Sequence, residues 1–165
     1  MKDLGSLAEA VAKRLIERGE TIAVSESSAG GLISAALLGV PGASAYFLGG
    51  AVVYTEAARS GLLQIGEADM AGIRAASEPY ACLNAGRVRD RLGADWGLAE
   101  TGATGPTGNR YGDAAGHACF AIVGKAEVAT TLETGSDDRA GNMRSFARAA
   151  LELMLETLEA ASREA

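Results

Sequence analysis

The first quarter of the chain changes from a helical to a strand-like pattern of apolar residues. Leu7, Val11 and Leu15 recur at helical spacing, which predicts a first helix. Gly19 is a typical helix stop. The next run, TIAVSE at residues 21–26, is short and β-branched and has no helical period, so it predicts a buried strand. A helix followed directly by a buried strand is typical of an α/β protein.

Later segments of the chain continue this alternation and then end it. Further helices are predicted at residues 32–40, 56–63, 67–73, 77–93 and 145–161. Further strands are predicted at residues 46–55, 94–101, 117–124 and 126–134. The last two strands flank a short Gly-Lys turn and read as an antiparallel hairpin. Ser77 with Pro79 marks a helix start and Gly93 its end. Residues 162–165 are expected to fray.

This order of elements predicts an α/β fold with three layers, α/β/α. Its sheet is mixed and mostly parallel, with about five strands, a late β-hairpin and a long C-terminal helix. The 165 residues are 48% hydrophobic and 22% charged, which is ordinary for one compact domain. We therefore expect residues 1–165 to form a single domain.

Charge and hydropathy exclude several classes of partner. The formal net charge is −6, and no Lys/Arg run offers the basic face that a nucleic-acid binder needs. No apolar stretch approaches the ~18 residues that would cross a bilayer, and the N-terminus lacks the plan of a signal peptide. The sequence thus predicts a cytoplasmic protein with no nucleic-acid or membrane partner. Self-association as a homo-oligomer is left open.

Two Gly-rich stretches follow predicted strands, where open α/β sheets collect ligands. The first is SESSAGG at residues 25–31, and the second is TGATGPTGNRYG at residues 101–112. Amides at a helix N-terminus or in a glycine loop suit an anion such as a phosphate. Spacing alone favours Ser27 and Ser28 as helix caps over a nucleophile. For the second stretch, a plain connection and an anion site are about equally supported.

Metal and histidine chemistry find little support in the sequence. The chain has a single histidine, His117, and no His/Cys cluster with ligand spacing. Cys82 and Cys119 lie in apolar contexts and are expected to be buried thiols. We predict no metal and no cofactor. A catalytic serine would need an activating group other than histidine.

Four blocks carry a resemblance to a known family. They are SESSAGGLISAAL, PGASAYFLGGAVVYT, ASEP and ETGATGPTG followed by AAGHACFAI. In order and spacing they resemble the C-terminal domain of the competence/damage-inducible CinA proteins, over almost the whole chain. Stand-alone members of that family are nicotinamide mononucleotide amidohydrolases. The resemblance therefore implies deamidation of nicotinamide mononucleotide to nicotinate mononucleotide and ammonia, with a small-molecule nucleotide as partner.

The resemblance also implies site residues. Ser27 falls on the family's nucleophile, and catalytic roles fall on Ser27, Tyr54 and Arg59. The amides of residues 28–31 would stabilise the oxyanion, residues 101–108 would contact the nucleotide, and Arg139 would bind its phosphate. The implied substrate-binding residues are Glu26, Ser28, Gly30, Gly31, Thr101, Gly102, Gly105 and Arg139.

Two positions depart from the family pattern. Ala29 replaces a threonine, and Arg59 stands five residues after Tyr54, where the family places its catalytic lysine. A lysine can lose its proton and act as a base, whereas a guanidinium cannot. One hypothesis keeps the enzyme, with Arg59 holding Tyr54 as a partial phenolate that acts as base. The alternatives are a non-catalytic pyridine-nucleotide-binding module, in which Arg59 clamps an anion, and a domain that serves only in assembly.

Overall fold

The structure, a computed structural model, describes residues 3–163. Its regular elements are α1 (Leu4–Arg18), β1 (Ile22–Glu26), α2 (Leu32–Leu38), β2 (Phe47–Val52), α3 (Glu56–Leu63), α4 (Glu78–Leu92), β3 (Trp96–Ala103), β4 (His117–Val123), β5 (Glu127–Glu133) and α5 (Arg139–Arg163), with a 3₁₀ turn at Ala43–Ala45. No helix within these residues is long and apolar enough to cross a membrane.

The five strands form one sheet in the order β2-β1-β3-β4-β5. β1 pairs in parallel with both β2 and β3. β4 pairs antiparallel with both β3 and β5, so β4 alone runs against the other four strands. The predicted mixed sheet and late hairpin are confirmed. The carboxyl ends of β2, β1 and β3 meet at one edge, which is where parallel strands place a ligand.

Helices cover both faces of the sheet, as the predicted three layers require. α1, α2 and α5 pack on one face around Trp96 and Phe120 of the sheet, both fully buried. α4 packs on the other face, with α3 beside it, over a second set of small apolar residues that includes Ala99 and Ala121. The helical layers bury the central strands β1, β3 and β4, whereas the edge strands β2 and β5 are partly exposed.

Local signals in the sequence explain where helices begin and end. The Asp3 carboxylate accepts a hydrogen bond from the Ser6 amide at 2.7 Å and caps α1. Ser77 caps α4 in the same way by accepting from the Tyr80 amide at 3.3 Å. α1 and α4 each end at a glycine in the left-handed conformation, Gly19 and Gly93. The predicted cap at Ser77 and the predicted helix ends at Gly19 and Gly93 are confirmed, whereas the cap at Asp3 was not predicted.

Three predicted boundaries are wrong. Residues 67–73 form turns instead of a helix, and their backbone bonds close turns between residues three positions apart, from the Met70 amide to the Glu67 carbonyl at 3.1 Å and from the Ile73 amide to the Met70 carbonyl at 2.9 Å. α5 starts at Arg139, six residues earlier than predicted, and includes residues 162 and 163, which we expected to fray. Residues 164 and 165 lie outside the described chain. β3 continues to Ala103, so Gly102 lies in a strand and not in the loop.

Candidate functional site

A cleft of about 320 Å³ opens where the carboxyl ends of β1, β2 and β3 meet. This volume lies within the ~300–1,000 Å³ range of small-molecule pockets. Five of the predicted site residues line it, namely Ser27, Tyr54, Arg59, Thr101 and Gly102. Ser27 follows β1, Tyr54 follows β2, and Thr101 lies near the end of β3. Residues far apart in sequence therefore meet because their strands are parallel neighbours.

Six predicted site residues do not line this cleft: Glu26, Ser28, Gly30, Gly31, Gly105 and Arg139. Arg139 still reaches the cleft indirectly, through a hydrogen bond to Tyr54. The others support the walls of the cleft, as their hydrogen bonds and close packing show. Their roles as direct substrate contacts remain predictions.

Glu26 is a helix cap in this structure. Its side chain is fully buried, and one carboxylate oxygen accepts from the amides of Gly31 and Ile33, both at 3.0 Å. The other oxygen accepts from the Ser34 amide at 2.7 Å. The N-terminus of α2, which the sequence suggested as an anion site, is thus already occupied by a carboxylate of the chain itself.

Glu100 organises the turn at residues 27–29 from the neighbouring strand β3. The side chain is buried, and its Oε2 accepts from the amides of Ser27 and Ala29, both at 2.9 Å. The hydroxyl of Ser28 hydrogen-bonds to Oε1. Burial raises the pKa of Glu100, and the nearby charge of Glu26 raises it further. The hydrogen bonds from Ser27, Ser28 and Ala29 lower it, but the net shift is upward.

The expected group of oxyanion amides is therefore mostly absent. Ala29 donates to Glu100, Gly30 donates to the Ser27 carbonyl at 3.1 Å, and Gly31 donates to Glu26. Among the four amides of residues 28–31, only that of Ser28 has no acceptor within the described chain. The expectation that all four face an anion is wrong, because two buried carboxylates and a tight turn use three of them.

Tyr54 is hydrogen-bonded by Arg139, the first residue of α5. Its hydroxyl, on a side chain that remains largely exposed, accepts a hydrogen bond from Arg139 Nη2 at 3.2 Å. Arg139 Nη1 donates to the carbonyl of Gly105 at 2.6 Å. The cation beside Tyr54 is thus Arg139, whereas the sequence hypothesis gave that place to Arg59. The difference arises because α5 starts early enough to bring Arg139 to the cleft.

Arg59 lies in the middle of α3, whose start is capped by Thr55. The side chain is half-buried and lines the cleft that Ser27 also lines. Its Nε is buried and makes no hydrogen bond, and the guanidinium forms no ion pair within residues 3–163. A buried donor without an acceptor costs about 1–3 kcal/mol, which makes this group an unusual one to leave unpaired.

Thr101 and His117 fix the segment that closes the back of the cleft. The hydroxyl of Thr101 accepts from the Ala76 amide at 3.2 Å, and the carbonyl of Ala76 accepts from His117 Nε2 at 2.8 Å. The backbone of Ala76 is left-handed, with φ of 55°. Burial lowers the pKa of His117, but hydrogen bonds to Glu133 and Ala76 outweigh it and the net shift is upward. His117 therefore has the structural role that its isolation predicted.

The glycine loop is not an open nest of amides. The amides of Tyr111 and Asp113 both donate to Asn109 Oδ1, at 3.0 and 3.1 Å. Arg74 binds Asp113 through both Nη atoms, at 2.7 and 3.1 Å. The Tyr111 ring lies between the guanidinium groups of Arg74 and Arg110, about 5 Å from each. The loop presents an aromatic ring and a cation to the cleft, instead of backbone donors.

Comparison with known proteins decides the family. The family model for the CinA C-terminal domain matches residues 4–158. CinA-like proteins of Gloeobacter violaceus and Chlorobium limicola are 41% and 37% identical to this chain over 126 and 151 residues. Those matches cover 76% and 88% of this chain. This chain belongs to the CinA C-terminal domain family.

The matched part is only a portion of these relatives. The CinA C-terminal domain described here spans 30% of the Gloeobacter protein and 35% of the Chlorobium protein. Solved structures of two proteins of similar size have the same fold as this chain. A CinA superfamily protein from Klebsiella pneumoniae has a TM-score of 0.89 at 26% identity, covering 96% of this chain and 99% of its own. A competence/damage-inducible protein from Agrobacterium tumefaciens gives 0.87 at 28% identity, with coverage of 96% and 97%.

Two residues of the site in this CinA C-terminal domain, Glu100 and Tyr111, were not predicted from the sequence. Glu100 carried a signal, since a carboxylate inside the apolar run of a predicted buried strand needs partners. Tyr111 carried none, because a tyrosine in a Gly-rich loop is compatible with any exposed position. Within residues 3–163, no group of three or more His, Cys, Asp or Glu side chains could hold a metal ion.

Proposed function

We propose that this domain is a nicotinamide-nucleotide amidohydrolase, which converts nicotinamide mononucleotide to nicotinate mononucleotide and ammonia. The observation that carries the proposal is that Ser27, Tyr54 and Thr101, the hydroxyl residues the family resemblance selects, line one cleft at the strand ends. Ser27 Oγ attacks the carboxamide carbon, and the C–N bond breaks as the nitrogen gains a proton and leaves as ammonia. Water then hydrolyses the acyl-serine ester to the carboxylate and restores Ser27.

The charge of the cleft supports an anionic substrate. Arg59 and Arg110 line it, with Glu56 as the acidic counterpart, and Arg139 lies directly behind Tyr54. Arg110 lies 3.5 Å from Glu56, and both side chains are exposed, so this pair is weak in water. A locally positive cleft in a chain with a net charge of −6 favours a ligand that carries a phosphate.

Tyr54 is the group we propose as proton acceptor for Ser27. Lys13 lies exposed on α1. Lys125, in the β4–β5 turn at the end of the sheet opposite to the cleft, is bound to Glu20. Lys2 lies outside the described residues. Arg139 Nη2 donates a hydrogen bond to the Tyr54 hydroxyl at 3.2 Å, so that hydroxyl is held at the cleft that Ser27 also lines. A well-placed general base contributes about 10²- to 10⁴-fold to the rate. Because Arg59 stands where the resemblance places the catalytic lysine, we expect a slow enzyme.

The test is ammonia release from nicotinamide mononucleotide by the purified protein. We expect turnover above that of Ser27→Ala and a further reduction in Tyr54→Phe, which keeps the ring and removes only the hydroxyl. Leu48→Ala, on the exposed edge strand away from the cleft, serves as the matched control. Ammonia release that does not depend on Ser27 would refute the proposal.

A second candidate is a pyridine-nucleotide-binding module without turnover, and Arg59 is the observation that favours it. A guanidinium stands in the cleft where the resemblance places a base, and it has no partner within the described chain. This candidate predicts binding of nicotinamide mononucleotide by calorimetry with no ammonia from any variant that retains Arg59. Ammonia release by the wild-type protein separates the two candidates. Arg59→Lys should create or raise amidase activity in either case if the rest of the site is competent.

A further inference from the structure

Arg59 is the polar group of the cleft that the fold itself leaves without a partner. Its Nε is buried with no acceptor, and no carboxylate within residues 3–163 forms an ion pair with it. Other arginines near the cleft differ in this respect. Arg74 binds Asp113, and Arg139 binds Gly105 and Tyr54. The Nη atoms of Arg59 also have no hydrogen bond or ion pair within residues 3–163, so a ligand in the cleft can supply acceptors to them.

The Ser27 side of the cleft cannot supply much anion binding of its own. Three of the four amides at residues 28–31 donate within the chain, which leaves the Ser28 amide. One amide directly after the nucleophile is a common oxyanion donor, but such sites use at least a second one. Arg59 lines the same cleft as Ser27 and brings a guanidinium without an acceptor to it.

We propose that Arg59 makes this cleft selective for a pyridine carboxylate over the corresponding carboxamide, with the guanidinium binding the carboxylate that lies next to Ser27. The inference rests on the proposed function for the identity of the ligand, a pyridine mononucleotide. A guanidinium presents two parallel N–H donors that fit both oxygens of a carboxylate. A carboxamide offers one oxygen, and its NH₂ group points donors at a cation.

This selectivity has a consequence for the proposed reaction. Deamidation replaces an amide by a carboxylate, so the product is the form that Arg59 holds more tightly. The same guanidinium also faces the negative oxygen that develops when Ser27 attacks. A site of this kind favours the tetrahedral species and then retains the product, so that release of the carboxylate nucleotide limits turnover.

Isothermal titration calorimetry with nicotinate mononucleotide and nicotinamide mononucleotide tests the inference. We expect the wild-type protein to bind the carboxylate form about tenfold more tightly or better, as one charge-assisted bidentate contact implies. Arg59→Met should bring the ratio close to one. Arg59→Lys, which keeps the charge and loses the fork, should give an intermediate ratio. Thermal unfolding of each variant checks that the fold is intact.

Arg110→Gln is the matched control, because it removes one positive charge from the same cleft at an exposed position. It should weaken both nucleotides by a similar factor and keep their ratio. Equal affinities in the wild-type protein would overturn the inference and leave the proposed function in place, since both ligands would still bind. A ratio that persists in Arg59→Met would also overturn it. Failure of both nucleotides to bind would overturn the inference together with the proposed function.

Discussion

The two walls of the cleft satisfy their polar groups in opposite ways. On the Ser27 wall, which comprises residues 26–31 and Glu100, two buried carboxylates accept five backbone amides and the hydroxyl of Ser28. On the Arg59 wall, formed by residues 53–59, the guanidinium that faces the cleft has no acceptor from the chain. One wall is closed by internal hydrogen bonds, and the other is left open.

This difference suggests a division of labour between the walls. The Ser27 wall holds a nucleophile in a fixed place, because the amides of Ser27, Ala29 and Gly31 are tied to buried carboxylates. The Arg59 wall is free to bind a group that the chain does not contain. Removing a partner should therefore destabilise the Ser27 wall strongly and the Arg59 wall hardly at all.

The largest effect should follow from Glu100→Leu. This change leaves the amides of Ser27 and Ala29 and the hydroxyl of Ser28 without their acceptor in a buried place. At about 1–3 kcal/mol for each unpaired buried donor, we expect the free energy of unfolding to fall by about 3 kcal/mol or more. Urea denaturation measures this loss.

The matched control comes from the other wall. Arg59→Met keeps a side chain of similar length and removes a guanidinium whose Nε is buried without an acceptor, so the free energy of unfolding should stay the same or rise by about 1 kcal/mol. Comparable losses in the two variants would remove the distinction between the walls.

A smaller effect concerns pH. Burial raises the pKa of Glu100 in the folded protein, so the folded state binds this proton more tightly than the unfolded state does. The stability that the carboxyl contributes is then fully present below its unfolded pKa and is lost as pH rises through the folded pKa. Against Glu100→Gln, which cannot titrate, the wild-type protein should lose relative stability as the pH rises from about 4 to about 8.

Denaturation of both proteins at several pH values measures this difference, in which the other titrating groups largely cancel. A constant difference in unfolding free energy across that range would contradict the account. If the wild-type protein instead gained stability relative to Glu100→Gln as the pH rises, the sign of the prediction would be reversed. Glu100 would then be held ionised by its three donors.

Local signals in the sequence were sufficient for most of the fold. Ser77 and the glycines at 19 and 93 marked three helix bounds correctly, because capping depends on residues within one turn. The segment at 67–73 was missed because it is held by a tertiary contact, in which Arg87 of α4 donates to the Gln64 carbonyl and to Asp69. The early start of α5 was missed because residues 139–144 carry little apolar periodicity of their own.

The site was only partly predictable for a different reason. The resemblance brought Ser27, Tyr54, Arg59 and Thr101 together, and the structure places all four on one cleft. The state of the amides around Ser27 depends on which side chains from other elements reach them. No pattern near residue 27 shows that Glu100, 73 positions away, takes two of them. The exchange of Arg59 for Arg139 beside Tyr54 likewise depends on tertiary packing.

A crystal structure of the wild-type protein with nicotinate mononucleotide would test the central claim most directly. The account predicts the nucleotide in the cleft at the strand ends, with its carboxylate oxygens about 2.7–2.9 Å from the Arg59 nitrogens and its carboxyl carbon next to Ser27 Oγ. A ligand bound with its carboxylate away from Arg59, or with its pyridine ring outside the cleft, would contradict it.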